Sequence, residues 1–161
     1  MINLIVKSKI YLGIFIGLVI FFLAVRFNRI EKTDFTYIEN NKNLVELVRV
    51  IDGDTIEIKV GEKVDSVRLI GIDAPEMNED TKEKAIKSKQ YLESLLHNQK
   101  IFLEKDESQD DRDVYNRLLR YIYLEDNTLI NKKMIEADMA TEYTFITPYK
   151  FQNEFKQAEN N

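Results

Sequence analysis

The sequence predicts an α+β fold: a five-stranded Greek-key β-barrel of OB-like layout with three α-helices, preceded by an N-terminal hydrophobic helix. Three observations carry that expectation. Three alternating runs, Leu44 to Ile51, Thr55 to Val60 and Val64 to Ile72, follow one another with only "DGD" and "GEK" as major breaks. A segment of helical period then separates them from a fourth strand. Helices, not strands, close the chain.

The N-terminus stands apart in composition. Lys7 and Lys9 precede an unbroken apolar run, "IYLGIFIGLVIFFLAV", Ile10 to Val25, and Arg26, Arg29 and Lys32 follow it. Its 16 residues span roughly 24 Å as a helix, short of a bilayer core of about 30 Å. Snorkelling of Lys9 and Arg26 closes that gap. The pattern is expected to be a single-pass membrane anchor. A secretory signal is the alternative, with a weak cleavage site because "LAVRFN" offers Ala24 but no small-x-small pair. Either reading exports the rest of the chain. Residues 1–32 are therefore read as anchor or signal peptide with basic flanks, 33–42 as a linker and 43–161 as the barrel domain.

Within that domain each element has a local cause. Leu44 to Ile51 is rich in Leu and Val; Gly53 gives the "DGD" turn its freedom. "TIEIKV" alternates at period two, as a half-buried strand does. Pro75 ends the strand region, and "APEMNEDTK" is a loop. Lys82 to His97 reads as a helix with Ala85, Ile86, Lys89, Leu92, Leu95 and Leu96 at three- and four-residue spacing. Lys100 to Glu104 is a fourth strand, "DESQDDRD" a charged, solvated and mobile loop, and Leu118 to Leu124 a fifth strand. Leu129 to Ala137 is a second helix, and Pro148 fits the start of a third.

The 161 residues suit one domain with a modest core. With no cysteine, thiolate metal sites and cysteine nucleophiles are excluded, and the lone His97 disfavours both a histidine-rich zinc site and a Ser-His-Asp triad. The chain carries 23 basic and 28 acidic residues; the first 32 hold five of the basic and one of the acidic, leaving 18 against 27 and a net charge of −9. Such a domain is no general polyanion glue. Action on a polyanion requires a focused local site.

The charged residues at strand ends supply one. Asp52 and Asp54 flank the first turn, Arg68 precedes Asp73 by five residues, Glu76 follows Pro75, and Arg117 stands beside Tyr115 at the mouth of the fifth strand. Carboxylates such as Asp54 and Asp73 suit a hard cation such as calcium. Two guanidinium forks beside them make sense when a phosphate joins the group. A spare carboxylate, Glu76, is suited to take a proton from water. Metal, phosphate clamps and base together describe phosphodiester hydrolysis.

Three segments, "VIDGDTIEI", "VRLIGIDAPE" and "VYNRLLRYIY", resemble the signature segments of the thermonuclease (staphylococcal nuclease) family, in order and spacing, over about Leu44 to Pro148. The resemblance implies a five-stranded OB-fold barrel with three helices and calcium-dependent cutting of DNA and RNA at the 5′-oxygen–phosphorus bond, leaving 3′-phosphate ends. It implies Ca2+ held by Asp54, Asp73 and the backbone carbonyl of Ala74, and catalysis by Arg68, Glu76 and Arg117. Tyr115 falls at the phosphate-binding rim and Asp52 beside the metal. Two departures stand out: Asn116 where Tyr-Gly-Arg is usual, and Asp138 near a helix-ending glycine. Asn is the next best residue at positive φ, so the turn survives. The usual tail with its tryptophan is missing, so the third helix is expected to dock loosely. The overall expectation is a monomeric, membrane-tethered or secreted nuclease; the alternative is a noncatalytic nucleic-acid-binding module of the same fold.

Overall fold

A computed structural model describes residues 42–160. The anchor or signal expected over residues 1–32 lies outside them, as does most of the linker. No helix among the described residues is long and apolar enough to cross a membrane.

Apolar alternation builds the barrel. In β2 (Thr55–Val60), Ile56 and Ile58 are wholly buried while Glu57 between them is half-buried. β2 pairs antiparallel with β1 (Lys42–Val50) and with β3 (Lys63–Leu69), where Val67 and Leu69 are buried. This is the expected meander. β5 (Ile101–Glu104) pairs antiparallel with β1 and with β6 (Leu118–Leu124), and β6 returns parallel to β3. The order β1-β2-β3-β6-β5 closes into a barrel, which leaves none of these strands with a free edge.

The third strand is shorter than its sequence suggests. Gly71 adopts a positive φ of 80°, and Ile72–Asp73 forms a separate two-residue strand, β4. β4 pairs with β7 (Thr141–Glu142), an element the sequence pattern does not announce. The cause is remote. The Tyr149 ring lies so close to Gly71 that a Cβ there would sit 2.5 Å from it, and Tyr149 also donates to the Gly71 carbonyl at 3.2 Å.

α1 (Lys82–Leu96) buries Ala85, Ser88, Leu92 and Leu96; Ile86, placed on the apolar stripe by its spacing, is exposed. α2 (Ile130–Glu136) buries Ile130 and Met134 and inserts Asn131. The Asn131 amide accepts from the Ile122 N–H at 2.9 Å and donates to the Ile70 carbonyl at 2.9 Å, tying α2 to β6 and to the turn before β4. Asp138, past the end of α2, takes φ 57°, the left-handed role a glycine would fill. α3 (Gln152–Glu159) starts four residues after Pro148. It is anchored by Phe155, fully buried against Tyr121, Tyr149 and Phe151, rather than loosely docked.

The charged loop between β5 and β6 is stapled down. Asp106 is buried and accepts from the Tyr121 hydroxyl at 2.7 Å and the Lys150 N–H at 2.8 Å. Arg112 pairs bidentately with Asp65 of β3 at 2.9 and 2.6 Å, and Asp111 pairs with Arg120 of β6 at 2.7 Å. Periodicity and composition describe a solvated loop; ion pairs fix it to β3 and β6.

Candidate active site

The β1–β2 turn, the end of β3 and β4 meet at one edge of the barrel. Asp52 shapes the turn: its Oδ1 accepts the N–H of Asp54 at 3.0 Å, a local side-chain bond of the kind that favours Asp in turns. Gly53 is required there by packing. A Cβ on it would lie 1.9 Å from the Ser88 Oγ of α1 and 2.6 Å from the Ala74 Cβ. The Ser88 hydroxyl is itself buried without a hydrogen-bond partner.

Asp54 is 6% exposed and fully engaged. Its Oδ1 accepts from the Thr55 hydroxyl at 2.9 Å and its Oδ2 from the Ala74 N–H at 2.8 Å. Arg68 lies against the same Oδ2 at 3.1 Å and against Asp73 Oδ1 at 2.8 Å, both through Nη2. Its Nη1 donates to the carbonyls of Ile72 at 2.8 Å and Leu69 at 3.3 Å. One guanidinium nitrogen thus draws two carboxylates from elements 19 residues apart to one point. Burial pushes the Asp54 carboxyl up to about 6, with the Asp52 charge adding to the rise and Arg68, Ala74 and Thr55 opposing it. Arg68 alone does not compensate the ionised form, so further positive charge is favourable here.

Arg117 reaches this cluster from the β5–β6 loop. Its Nη1 approaches the Thr55 hydroxyl at 3.4 Å, the hydroxyl whose proton goes to Asp54. Its Nε donates to Asp113 Oδ2 at 2.6 Å. Asn116 takes φ 64°, so the turn that a glycine would make is made by asparagine. Tyr115 is 78% exposed, its ring centroid 5.3 Å from the Arg117 guanidinium carbon.

Asp52, Asp54, Arg68, Asp73 and Ala74 are therefore in direct contact, and Arg117 joins them through Thr55. Glu76 is exposed, and its carboxylate touches none of the cluster; its carbonyl accepts from the Thr81 hydroxyl and the Asn78 N–H. Sequence reasoning missed Thr55, Asp113 and Ser88. Asp113 had a visible signal, a carboxylate four residues before Arg117. Thr55 and Ser88 had none. A shallow groove lined by Leu44, Leu47, Val60 and Leu96 lies at the far end of β2 from Asp54 and gathers no comparable chemistry.

The donor set can be tested against calcium. It is all oxygen: the carboxylates of Asp54 and Asp73, whose facing oxygens share Arg68 Nη2, and the Ala74 carbonyl. Among the described residues no three His, Cys, Asp or Glu side chains are arranged so that together they could hold a metal ion. A hard cation with several open positions for water and phosphate oxygens fits such a set; a closed tetrahedral site does not.

Comparison with known proteins places this arrangement. The sequence model described as "Staphylococcal nuclease homologue" matches residues 66–161, a span that holds Arg68, Asp73, Glu76 and Arg117 and begins after Asp54. The thermonuclease of Staphylococcus hyicus is 32% identical over 122 residues, covering 74% of this chain and 70% of that protein. Endonuclease YncB of Bacillus subtilis (strain 168) is 30% identical over 134 residues, 80% of this chain and 63% of that protein. The SPbeta prophage-derived endonuclease YokF of the same organism is 31% identical over 118 residues, 71% of this chain and 40% of that protein. The chain belongs to the staphylococcal nuclease homologue family.

Proposed function

We propose that the chain is a nuclease, a calcium-dependent phosphodiesterase that hydrolyses DNA and RNA at the 5′-oxygen–phosphorus bond and leaves 3′-phosphate ends. Family membership and the nuclease names of its relatives support the reaction class. The observation that carries the reading is the convergence of Asp54 and Asp73 on one nitrogen of Arg68, with Arg117 linked to Asp54 through Thr55.

Asp54, Asp73 and the Ala74 carbonyl are the residues that would hold Ca2+. Bound there, the ion supplies Lewis acidity toward a phosphoryl oxygen and acidifies water. The side chains do the rest. Arg68 and Arg117 supply positive charge beside the phosphoryl oxygens on which charge builds as water attacks, Arg117 also through its Nη2, unengaged among the described residues. Glu76, exposed and free of the cluster, takes or directs the proton of that water. Tyr115 lies at the rim beside Arg117, where a neighbouring phosphate would run. As the water oxygen bonds to phosphorus the 5′-oxygen–phosphorus bond breaks; the departing 5′-oxygen takes up a proton from solvent, and the phosphoryl group stays on the 3′ side.

The same proposal places the protein outside the cell as a monomer, held by its N-terminal segment as a single-pass anchor or released after signal cleavage. The test is plasmid digestion by the full chain in mild detergent, in calcium and in chelator. Cutting in calcium that stops on chelation is the expected result; undiminished cutting in chelator, or none in calcium by folded protein, overturns it.

A further inference from the structure

Arg117 is gripped at one corner of its guanidinium. Asp113 Oδ2 accepts from Nε at 2.6 Å. Asp113 Oδ1 accepts two backbone N–H groups, from Tyr115 at 3.0 Å and from Arg117 at 2.9 Å. The Asp113 N–H donates to the Arg117 carbonyl at 3.0 Å, and the Asn116 N–H returns to the Asp113 carbonyl at 3.0 Å. One carboxylate therefore both shapes the turn through Asn116 and holds the side chain that the turn presents.

We propose that Asp113 is the positioning residue for Arg117: by occupying Nε it presents the Nη1 and Nη2 fork to a phosphate beside Asp54. This rests on the phosphodiesterase reading of the same site. Nη1 already points to the Thr55 hydroxyl at 3.4 Å, and Nη2 makes no hydrogen bond among the described residues. With Nε taken, the end-on fork is the edge left for a phosphate.

An exposed pair four residues apart would not do this, because solvent and side-chain entropy leave it loose. The Asp113 side chain is only 16% exposed. Burial works to raise its carboxyl, but the Arg117 N–H and guanidinium and the Tyr115 N–H hold it below the usual carboxylate range. It stays ionised at neutral pH, and its three donors come from one short turn. A donor fixed before substrate arrives costs no reorganisation during the reaction.

Asp113→Asn tests the assignment. The amide keeps an oxygen for the two backbone N–H groups and turns an N–H toward Nε, so the turn stays and the grip is lost. In the full chain, kcat for a single-stranded oligonucleotide falls by about 10- to 100-fold, the scale for a misplaced reacting group, while KM stays within about threefold. In an Arg117→Ala background the same substitution adds no further loss. Independently of activity, the slowly exchanging Nε–H signal of Arg117 in nitrogen-15 NMR spectra disappears in Asp113→Asn. A variant that cuts at the wild-type rate, or one that loses as much again without Arg117, overturns the assignment and leaves the phosphodiesterase reading standing. A wild-type chain that does not cut in calcium ends both, even with the Nε–H signal intact.

Discussion

Arg68 and Arg117 face the same small space from opposite circumstances. Arg68 leaves 13% of its side chain exposed and gives its terminal nitrogens to two carboxylates and two carbonyls. Arg117 leaves 28% exposed and is tied through Nε, with the Thr55 contact a long 3.4 Å. Arg68 is built into the frame that folds β3 onto β4. Arg117 hangs from a loop and is aimed. Two residues of one type, expected to serve one reaction, therefore differ in what their loss does to the fold.

Arg68→Ala separates them most sharply. It strands Asp54, 6% exposed, and Asp73 without their shared counter-charge. The free energy of urea unfolding is expected to drop by about 3 kcal/mol or more, as when one partner of a buried pair is removed. A loss below about 1 kcal/mol, the scale of a surface pair, would erase the contrast.

The pH dependence of the buried half comes next. Asp54 is pushed up to about 6 from an ordinary 3.8, chiefly by burial. The folded state then binds its proton more tightly than the unfolded chain does. The stability Asp54 contributes is complete below about pH 4 and is lost as pH rises through about 6, an effect on the order of 2–3 kcal/mol. Asp54→Asn removes this dependence. Unfolding curves from pH 4 to 8 should show wild type losing stability relative to the variant; parallel profiles would contradict the burial argument.

Ser88→Ala probes the packing behind the turn. The Ser88 Oγ is buried with no partner. Its deletion is expected to raise stability by about 1 kcal/mol, read as a higher midpoint at unchanged m-value. A destabilised variant would show that the hydroxyl has a partner after all.

Arg117→Ala is expected to move stability least, by about 1 kcal/mol or less. A change as large as that of Arg68→Ala would break the comparison outright.

The sequence displays the barrel well because its causes are local. Alternation in "TIEIKV" and the turn residues on either side suffice for β2, and β6 is a short apolar run whose Tyr121, Ile122 and Tyr123 are all buried. Each of these strands lies where its own pattern puts it. The short β4–β7 pair is invisible locally, since Gly71 turns the chain in response to Tyr149, 78 residues away. Likewise Pro148 reads as a helix start, yet its carbonyl accepts from Ser108 and Gln109 of the stapled loop, and α3 begins only at Gln152. The candidate site divides the same way. Asp54, Arg68, Asp73 and Arg117 stand out as charges at strand ends, where apolar residues would be cheaper. Thr55 looks like an ordinary strand residue, and only the closing of the barrel carries Arg117 to its hydroxyl. Ser88 falls three residues after Ala85 and four before Leu92 and shares their buried face; the close packing of Gly53 explains its small size but not its hydroxyl.

On the proposed reading the framed arginine and the aimed one act on a single phosphodiester. Its most direct test is single-turnover cleavage of an end-labelled single-stranded oligonucleotide in calcium, comparing the full wild-type chain with Arg117→Ala at matched stability. Products with 3′-phosphate ends are expected, with the rate lowered by about 10²-fold or more in the variant. Equal rates, or products ending in 3′-hydroxyl, would contradict it.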